Sequence, residues 1–167
     1  GGLFGPPTQP VDLSCRYTSG VASGDYDNDG WVDIAVAVSS VPFPISPCSI
    51  STGAPVLLHN TGGTGHTLTV RLVGTTVNRD AIGGRVTLSF KGGVALLREV
   101  KSSRGMHNSM DSRWLHFGLG DLGCDYEVTL RWPDGTSVKF DSLQLPPGGR
   151  FDIGYPAKVS AWTPGQD

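Results

Sequence analysis

The sequence predicts an all-β fold, an antiparallel β-sandwich with a β-hairpin and little or no helix. In several short segments apolar residues alternate with polar ones, the pattern of strands that have one face in a core. Nowhere do apolar residues recur with helical spacing over three turns. Glycine and proline contribute 24 and 12 of the 167 residues, which favours short strands joined by tight turns.

The alternating segments of the second half of the chain predict most of the sandwich. They are 68–72, 86–90, 94–100, 128–132, 138–140 and 151–153. Between two of them, Pro133 sets the first corner of a turn and Gly135 accepts its left-handed position. In the first half, 20–24 and 34–38 are rich in small and β-branched residues and predict a hairpin, and 56–59 predicts a further short strand.

The loop between the two hairpin strands is the strongest site signal. Counted from Asp25, aspartate occupies positions 1, 3, 5 and 9, and glycine occupies position 6. Alternate carboxylates in a tight turn converge on one point, where their repulsion favours a bound cation, and oxygen ligands in a flexible loop suit calcium. We therefore predict a Ca²⁺ site. Its predicted ligands are the carboxylates of Asp25, Asp27, Asp29 and Asp33 and the backbone carbonyl of Trp31.

Two other interpretations of this loop are weaker. An EF-hand needs a bidentate glutamate at position 12, which is Val36 in this chain. A solvated acidic turn does not require four aspartates at these offsets around a glycine. The run from Val21 to Val36 instead resembles the FG-GAP/VCBS repeat, a calcium loop between two strands that is the blade unit of integrin-type propellers.

A second resemblance covers residues 66 to 145. Its motifs are NRDAIGGRV at 78–86, REV at 98–100, LHFGLG at 115–120 and WPDG at 132–135. In this order they are similar to the ASPIC/UnbV family, which implies a secreted, calcium-binding protein of the cartilage acidic protein type. Relatives carry several FG-GAP/VCBS repeats that close a propeller. Because this chain has a single calcium loop, we expect no propeller, and we expect the hairpin to join the sandwich.

We expect three segments. Residues 1–14 are rich in proline and glycine and predict an extended N-terminal arm, 15–65 hold the calcium hairpin and a Ser/Pro loop, and 66–167 form the sandwich, in one compact unit with 15–65. Leu3 and Phe4 have no periodic apolar partner nearby. An extended apolar arm of this kind can add to a sheet edge of a neighbouring subunit, so we expect self-assembly, with a fibre as one outcome.

With three cysteines in the chain, any one disulfide leaves the third cysteine unpaired. Cys15 and Cys48 bracket the calcium hairpin and are the preferred disulfide, although three cysteines allow three pairings. Cys124 is then a buried thiol or an intermolecular partner, and a buried thiol is the commoner case.

Composition excludes two classes of partner. A net charge of −2 argues against a nucleic-acid or anionic-membrane surface, because both need a concentrated basic patch. No stretch approaches the roughly 20 apolar residues of a membrane span. The chain has neither an initiator methionine nor a signal peptide, so we expect a mature or excised chain.

Catalytic motifs are not convincing in this sequence. Residues 118–123 match G-x-G-x-x-G, but 126–130 predict a strand where a dinucleotide site needs a helix. The histidines show no metal or triad spacing; they are His59, His66, His107 and His116. The clustered aspartates are assigned to the cation, which leaves no paired acid and base. We expect a protein without enzymatic activity.

Two polar or aromatic features have open interpretations. In the turn at 78–80, Arg79 is either a ligand anchor or, as we favour, a structural residue paired with a carboxylate or carbonyls, with Asn78 in a left-handed turn. Trp31, Trp114 and Trp162 either stack on sugars, anchor a protein interface, or lie in the core.

Two functional classes remain. The first is an extracellular, calcium-stabilised structural or adhesive module that contacts other protein chains, including copies of itself through the N-terminal arm. The second is a calcium-dependent carbohydrate-binding module that binds glycans. A sugar-binding protein should present a tryptophan pair on one exposed face beside polar side chains, whereas an assembly subunit should have its arm or a sheet edge covered by a neighbour.

Overall fold

A computed structural model describes residues 17–39, 54–75, 78–103 and 109–163. These residues form eleven strands and no helix, which confirms the predicted all-β class. The strands are β1 Tyr17–Gly24, β2 Asp33–Ser39, β3 Val56–Leu58, β4 His66–Val73, β5 Arg85–Phe90, β6 Ala95–Glu99, β7 Leu115–Gly120, β8 Tyr126–Arg131, β9 Ser137–Asp141, β10 Arg150–Gly154 and β11 Lys158–Ala161.

The described strands form three sheets. The hairpin strands make a three-stranded sheet in the order β1-β2-β3, and the other strands make two four-stranded sheets in the orders β11-β10-β4-β7 and β6-β5-β8-β9. All pairings are antiparallel except that of β10 with β4. The expected purely antiparallel sandwich is therefore a mixed one. The chain crosses from one four-stranded sheet to the other between β9 and β10, and such a crossover permits parallel pairing.

The core lies between the two four-stranded sheets, and alternate residues of their strands build it. Strand β4 contributes Leu68, Val70 and Leu72, all at most 3% exposed, as the alternation predicts. The other fully buried large side chains of this core are Trp132, Phe117, Leu88, Leu119, Leu130, Leu145, Ile153, Val86 and Val128. One face of each four-stranded sheet is thus apolar and buried.

Two strands lie beyond the predicted segments. Strand β7 contains Gly118 and Gly120, which weaken its propensity, and it belongs to the G-x-G-x-x-G match. Strand β11 is short and mostly exposed, with no clear alternation. The segment after the glycine motif is strand β8, as expected, so it presents no helix N-terminus to a dinucleotide.

One tyrosine makes a polar contact inside the sandwich. Tyr126 is 3% exposed, and its hydroxyl donates a hydrogen bond of 2.6 Å to the carbonyl of Leu145. Burial favours the neutral phenol, and it raises the pKa of Tyr126 to about 12. The hydroxyl therefore stays protonated as a donor at neutral pH.

Several expectations concern residues outside the described ranges. The N-terminal arm at 1–14, both cysteines of the predicted disulfide (Cys15 and Cys48) and most of the Ser/Pro loop lie there. Cys124 is described, and it is an exposed free thiol rather than a buried one, because the turn between β7 and β8 lies at the surface. The described residues contain no helix long and apolar enough to cross a membrane.

Candidate cation site at the hairpin loop

The acidic loop spans 25–32 between β1 and β2. Its backbone turns sharply through two left-handed positions, Asn28 with φ 62° and Gly30 with φ 92°. Glycine accepts such a conformation without strain, and asparagine is among the side chains that tolerate it best. The glycine at position 6 therefore has the role that the sequence predicts, which is to let the chain wrap around one point.

Three of the predicted ligands converge at the end of the hairpin. Asp25, Asp27 and Asp33 each place a carboxylate oxygen within 4.8 Å of the other two. Asp33 belongs to β2 and is only 2% exposed. Its oxygens accept N–H hydrogen bonds from Tyr26 at 3.2 Å and from Asn60 at 2.8 Å. A buried charge is costly unless it is compensated, so Asp33 is the member of this cluster for which a cation has most effect.

Asp25 is held in a similar way. It accepts the N–H groups of Asp29 at 3.1 Å and Gly30 at 3.0 Å, one on each carboxylate oxygen. A carboxylate has about four lone-pair positions, so these bonds orient Asp25 and leave acceptor capacity for an ion. The loop thus orders its own ligands through backbone donors.

Asp29 lies in a second, overlapping group. With Asp27 and His59 it forms another set of ligand atoms within 4.8 Å of one another. His59 Nε2 lies 3.1 Å from Asp27 Oδ2 and 4.0 Å from Asp29 Oδ2. The histidines show no metal spacing in the sequence, yet the structure places His59 beside these carboxylates. Strand β3 pairs with β2 and ends at Leu58, which places His59 beside the loop. Sequence spacing cannot show a contact between residues this far apart in the chain.

Trp31, the fifth predicted ligand, has its indole ring packed over a glycine segment. A Cβ added at Gly62 would lie 3.0 Å from Trp31 Nε1, and one added at Gly63 would lie 3.2 Å from its Cη2. The ring is half-buried against this segment rather than free to stack on a sugar. Its carbonyl remains a predicted ligand.

The sandwich contacts the loop through two side chains on the outer face of the β11-β10-β4-β7 sheet. Arg150 of β10 donates from Nη1 to the side-chain oxygen of Asn28, and the same nitrogen lies 4.0 Å from Asp25 Oδ2. His116 of β7 is hydrogen-bonded through Nε2 to the carbonyl of Gly30 at 2.9 Å. Burial lowers the pKa of His116, so the neutral imidazole is favoured there.

Arg150 also lies between two indole rings. Its guanidinium carbon is 4.4 Å from the ring centroid of Trp114 and 4.4 Å from that of Trp162. The two rings themselves are 5.5 Å apart in an edge-to-face arrangement. Arg71 of β4 is also 4.4 Å from the centroid of Trp114. Arg71, Trp114, Arg150 and Trp162 therefore form a cluster that we call the Arg–Trp ladder. It orients Arg150 for its contact with the loop.

The polar turn at 78–80 differs in detail from its prediction. The left-handed residue is Ala81, with φ 51°, rather than Asn78. Asn78 instead exchanges two side-chain hydrogen bonds with the backbone of Ile82, at 2.6 and 3.1 Å. Within this turn, the ion pair that the described residues show joins Asp80 to Arg113, and Arg79 does not take part in it. The structural role that we favour for this turn therefore belongs to Asn78 and Asp80.

The donor set fits a hard divalent cation. It comprises carboxylate oxygens on a loop that turns at glycine, one of them buried, and such oxygens are what calcium prefers. When bound, calcium would balance the negative charge that Asp25, Asp27 and Asp33 bring together. The fold and site thus define an all-β sandwich with an acidic hairpin loop packed on one of its sheets.

The family model for ASPIC and UnbV matches residues 74–159. This range is more than half of the chain, and the chain belongs to the ASPIC/UnbV family. It includes strands β5 to β10 and begins after the hairpin. No curated protein matches the chain, and no solved structure matches it.

Proposed function

We propose that this chain is a non-catalytic, extracellular β-module that is stabilised by calcium and mediates protein–protein contact or self-assembly. The observation that carries the proposal is the convergence of Asp25, Asp27 and the buried Asp33 at the hairpin end. Without a cation these carboxylates repel one another, so an ion that binds only the folded loop stabilises it. The FG-GAP/VCBS resemblance of residues 21–36 supports calcium as that ion, and it agrees with an extracellular setting.

The hairpin sheet offers a surface for a second copy of the chain. Val21 is 56% exposed and Ile34 is 37% exposed. Their cross-strand partners Val36 and Leu58 belong to the same face of the sheet. Among the described strands, β1 pairs only with β2. The backbone of Ser23 on its other edge is hydrogen-bonded by Asp111 and Ser112, so only the part of this edge that precedes Ser23 is proposed for strand addition. The predicted partner for this edge is the N-terminal arm of a neighbouring copy.

Carbohydrate binding is the second candidate. Trp114 and Trp162 form the tryptophan pair that a sugar-binding surface requires, and they line a cavity of about 470 Å³ with Asp25, Tyr26 and Asn28 of the loop. In this cavity, however, Arg150 lies over both rings, where a sugar would stack. Protein contact is therefore the function that we favour.

Calcium is expected to raise the melting temperature of the purified protein, and excess chelator is expected to lower it again. At a calcium concentration of 100 times Kd the stabilisation is about 2.7 kcal/mol. Asp29→Ala should shift the calcium response to higher concentrations, because it removes one proposed ligand. Asp121→Ala, on an exposed turn far along the chain, is the matched control and should respond like the wild type. Identical melting curves in calcium and in chelator would contradict the proposed ion.

Self-assembly is expected to depend on the arm and on the hairpin sheet. Deleting residues 1–10, or introducing Val21→Asp, should reduce the sedimentation coefficient of the assembled protein in calcium toward that of a monomer. Leu143→Asp is the control, because Leu143 is 89% exposed but lies in the sandwich, after β9. If the wild type sediments as a monomer at high concentration in calcium, the assembly role is wrong. Unchanged sedimentation of both test variants would remove the arm and this sheet from it.

A further inference from the structure

Beside the polar turn at 78–80, three arginines line one small cavity. It has a volume of about 340 Å³. The arginines come from distant parts of the chain: Arg71 lies on β4, Arg79 in the turn, and Arg113 just before β7. Trp114 and Asp80 also line it. We call this site the arginine cavity.

Two of the three guanidinium groups are held in place by carboxylates. Arg71 donates from Nε and Nη2 to the two oxygens of Asp152, at 2.7 and 2.8 Å, and it stacks on Trp114. Arg113 donates from Nη1 to Asp80 Oδ1. A planar guanidinium held at both its fork and its face has a defined orientation before any ligand arrives. The cost of ordering Arg71 on binding is therefore small, whereas Arg113, whose side chain is 50% exposed, is held only through its pair with Asp80.

The third guanidinium gives the arginine cavity an excess of positive charge. Arg79 takes part in none of the ion pairs found among the described residues, and its side chain is exposed. Among the ion pairs of the described residues, Asp152 pairs with Arg71 and Asp80 pairs with Arg113, so Arg79 is the arginine of this cavity whose charge we assign to a ligand. Guanidinium groups match the planar geometry of carboxylate and the tetrahedral oxygens of sulfate and phosphate.

We infer that the arginine cavity binds an oxyanion group of a small ligand, with Arg79 as its anchor and Arg113 as a second contact. The volume is near the lower end of the roughly 300–1,000 Å³ of small-ligand pockets. It therefore suits a single charged group rather than a polymer chain. This site uses none of the proposed calcium ligands, so a test of anion binding is independent of whether the hairpin loop binds calcium.

The test is an NMR titration of the ¹⁵N-labelled full chain with sodium acetate, sodium sulfate and sodium phosphate at constant ionic strength. Resonances of the backbone amides at 78–82 and of the arginine Nε–H groups report on the cavity. We expect saturable shifts at Arg79 and Arg113 for at least one of the three anions. The anion that saturates at the lowest concentration identifies the group recognised.

Variants separate a built site from surface counterions. Arg79→Gln should weaken the saturable binding at least tenfold, and Arg79→Lys should weaken it less, because lysine keeps the charge but not the planar fork. Arg85→Gln is the control, since Arg85 is exposed and pairs with Glu99 on the neighbouring strand. Shifts that rise linearly without saturation, or equal affinity in Arg79→Gln and in wild type, would overturn the inference. A well-dispersed spectrum of each variant shows that the fold is retained.

Discussion

Trp132→Ala is expected to lower the free energy of unfolding by about 3–5 kcal/mol, the range for removing a large aromatic ring from a core. Trp132 follows β8, and its side chain is 1% exposed. Its indole N–H donates to the carbonyl of Pro156 at 2.9 Å, and its ring meets that of Tyr155 edge to face at 5.2 Å. The substitution leaves a cavity and an unpaired acceptor at the point where the end of β8 meets the segment between β10 and β11.

Urea unfolding at equilibrium, followed by far-UV circular dichroism, measures this effect. Trp132→Phe should cost less than the alanine variant, because it keeps most of the ring volume and loses the N–H donor. Leu143→Ala is the control, and its unfolding free energy should stay within about 0.5 kcal/mol of wild type because Leu143 is 89% exposed. A loss below 1 kcal/mol for Trp132→Ala would show that this ring is not part of the core.

Arg150→Ala is expected to cost about 3 kcal/mol and to weaken the response to calcium. The estimate combines two cation–π contacts of about 1 kcal/mol each with a hydrogen bond from a charged donor. The contacts are those with Trp114 and Trp162 at 4.4 Å, and the bond is that to Asn28. The side chain of Arg150 is only 15% exposed, so solvent screens these interactions little. Because Arg150 connects the sandwich to the loop, its loss should also make the loop that holds Asp25 more mobile.

The matched control for this variant is Arg85→Ala. Arg85 pairs with Glu99 at 3.2 Å, but its side chain is 52% exposed, and such pairs contribute about 0–1 kcal/mol. Thermal melts with and without calcium separate the two effects of Arg150→Ala. If its calcium-dependent shift in melting temperature equals that of wild type, Arg150 stabilises the sandwich but does not position the loop. Arg150→Lys should recover part of the charge interaction but not the stacking between planar groups.

The sequence by itself determined the class of the fold and most of its strands. The alternation of Leu68, Val70 and Leu72 with polar residues predicts β4, and the alternation of Val128 and Leu130 predicts β8. Both patterns are local, since one face of each strand is buried and the other is not, and the period of two is visible in the chain. Strand β11 was not predicted, because its four residues show no clear alternation.

For the candidate site, the sequence selected the aspartates of the loop because their spacing is itself local. The structure brings Asp25, Asp27 and Asp33 together at the hairpin end, and their binding of calcium stays a prediction. The ASPIC/UnbV motifs likewise pointed to the family without any coordinates. The sequence alone therefore predicts a candidate site where the residues that form it are close together in the chain.

Only the tertiary structure decided which side chains surround that loop. His59 reaches Asp27 through the pairing of β3 with β2, and Arg150 and His116 reach the loop from strands more than 80 residues away. The parallel pairing of β10 with β4 and the Arg–Trp ladder have the same origin. These contacts are set by how the sheets are ordered and packed. No periodicity along the chain records that order, because a strand's alternation specifies which face is buried but not which strand lies beside it.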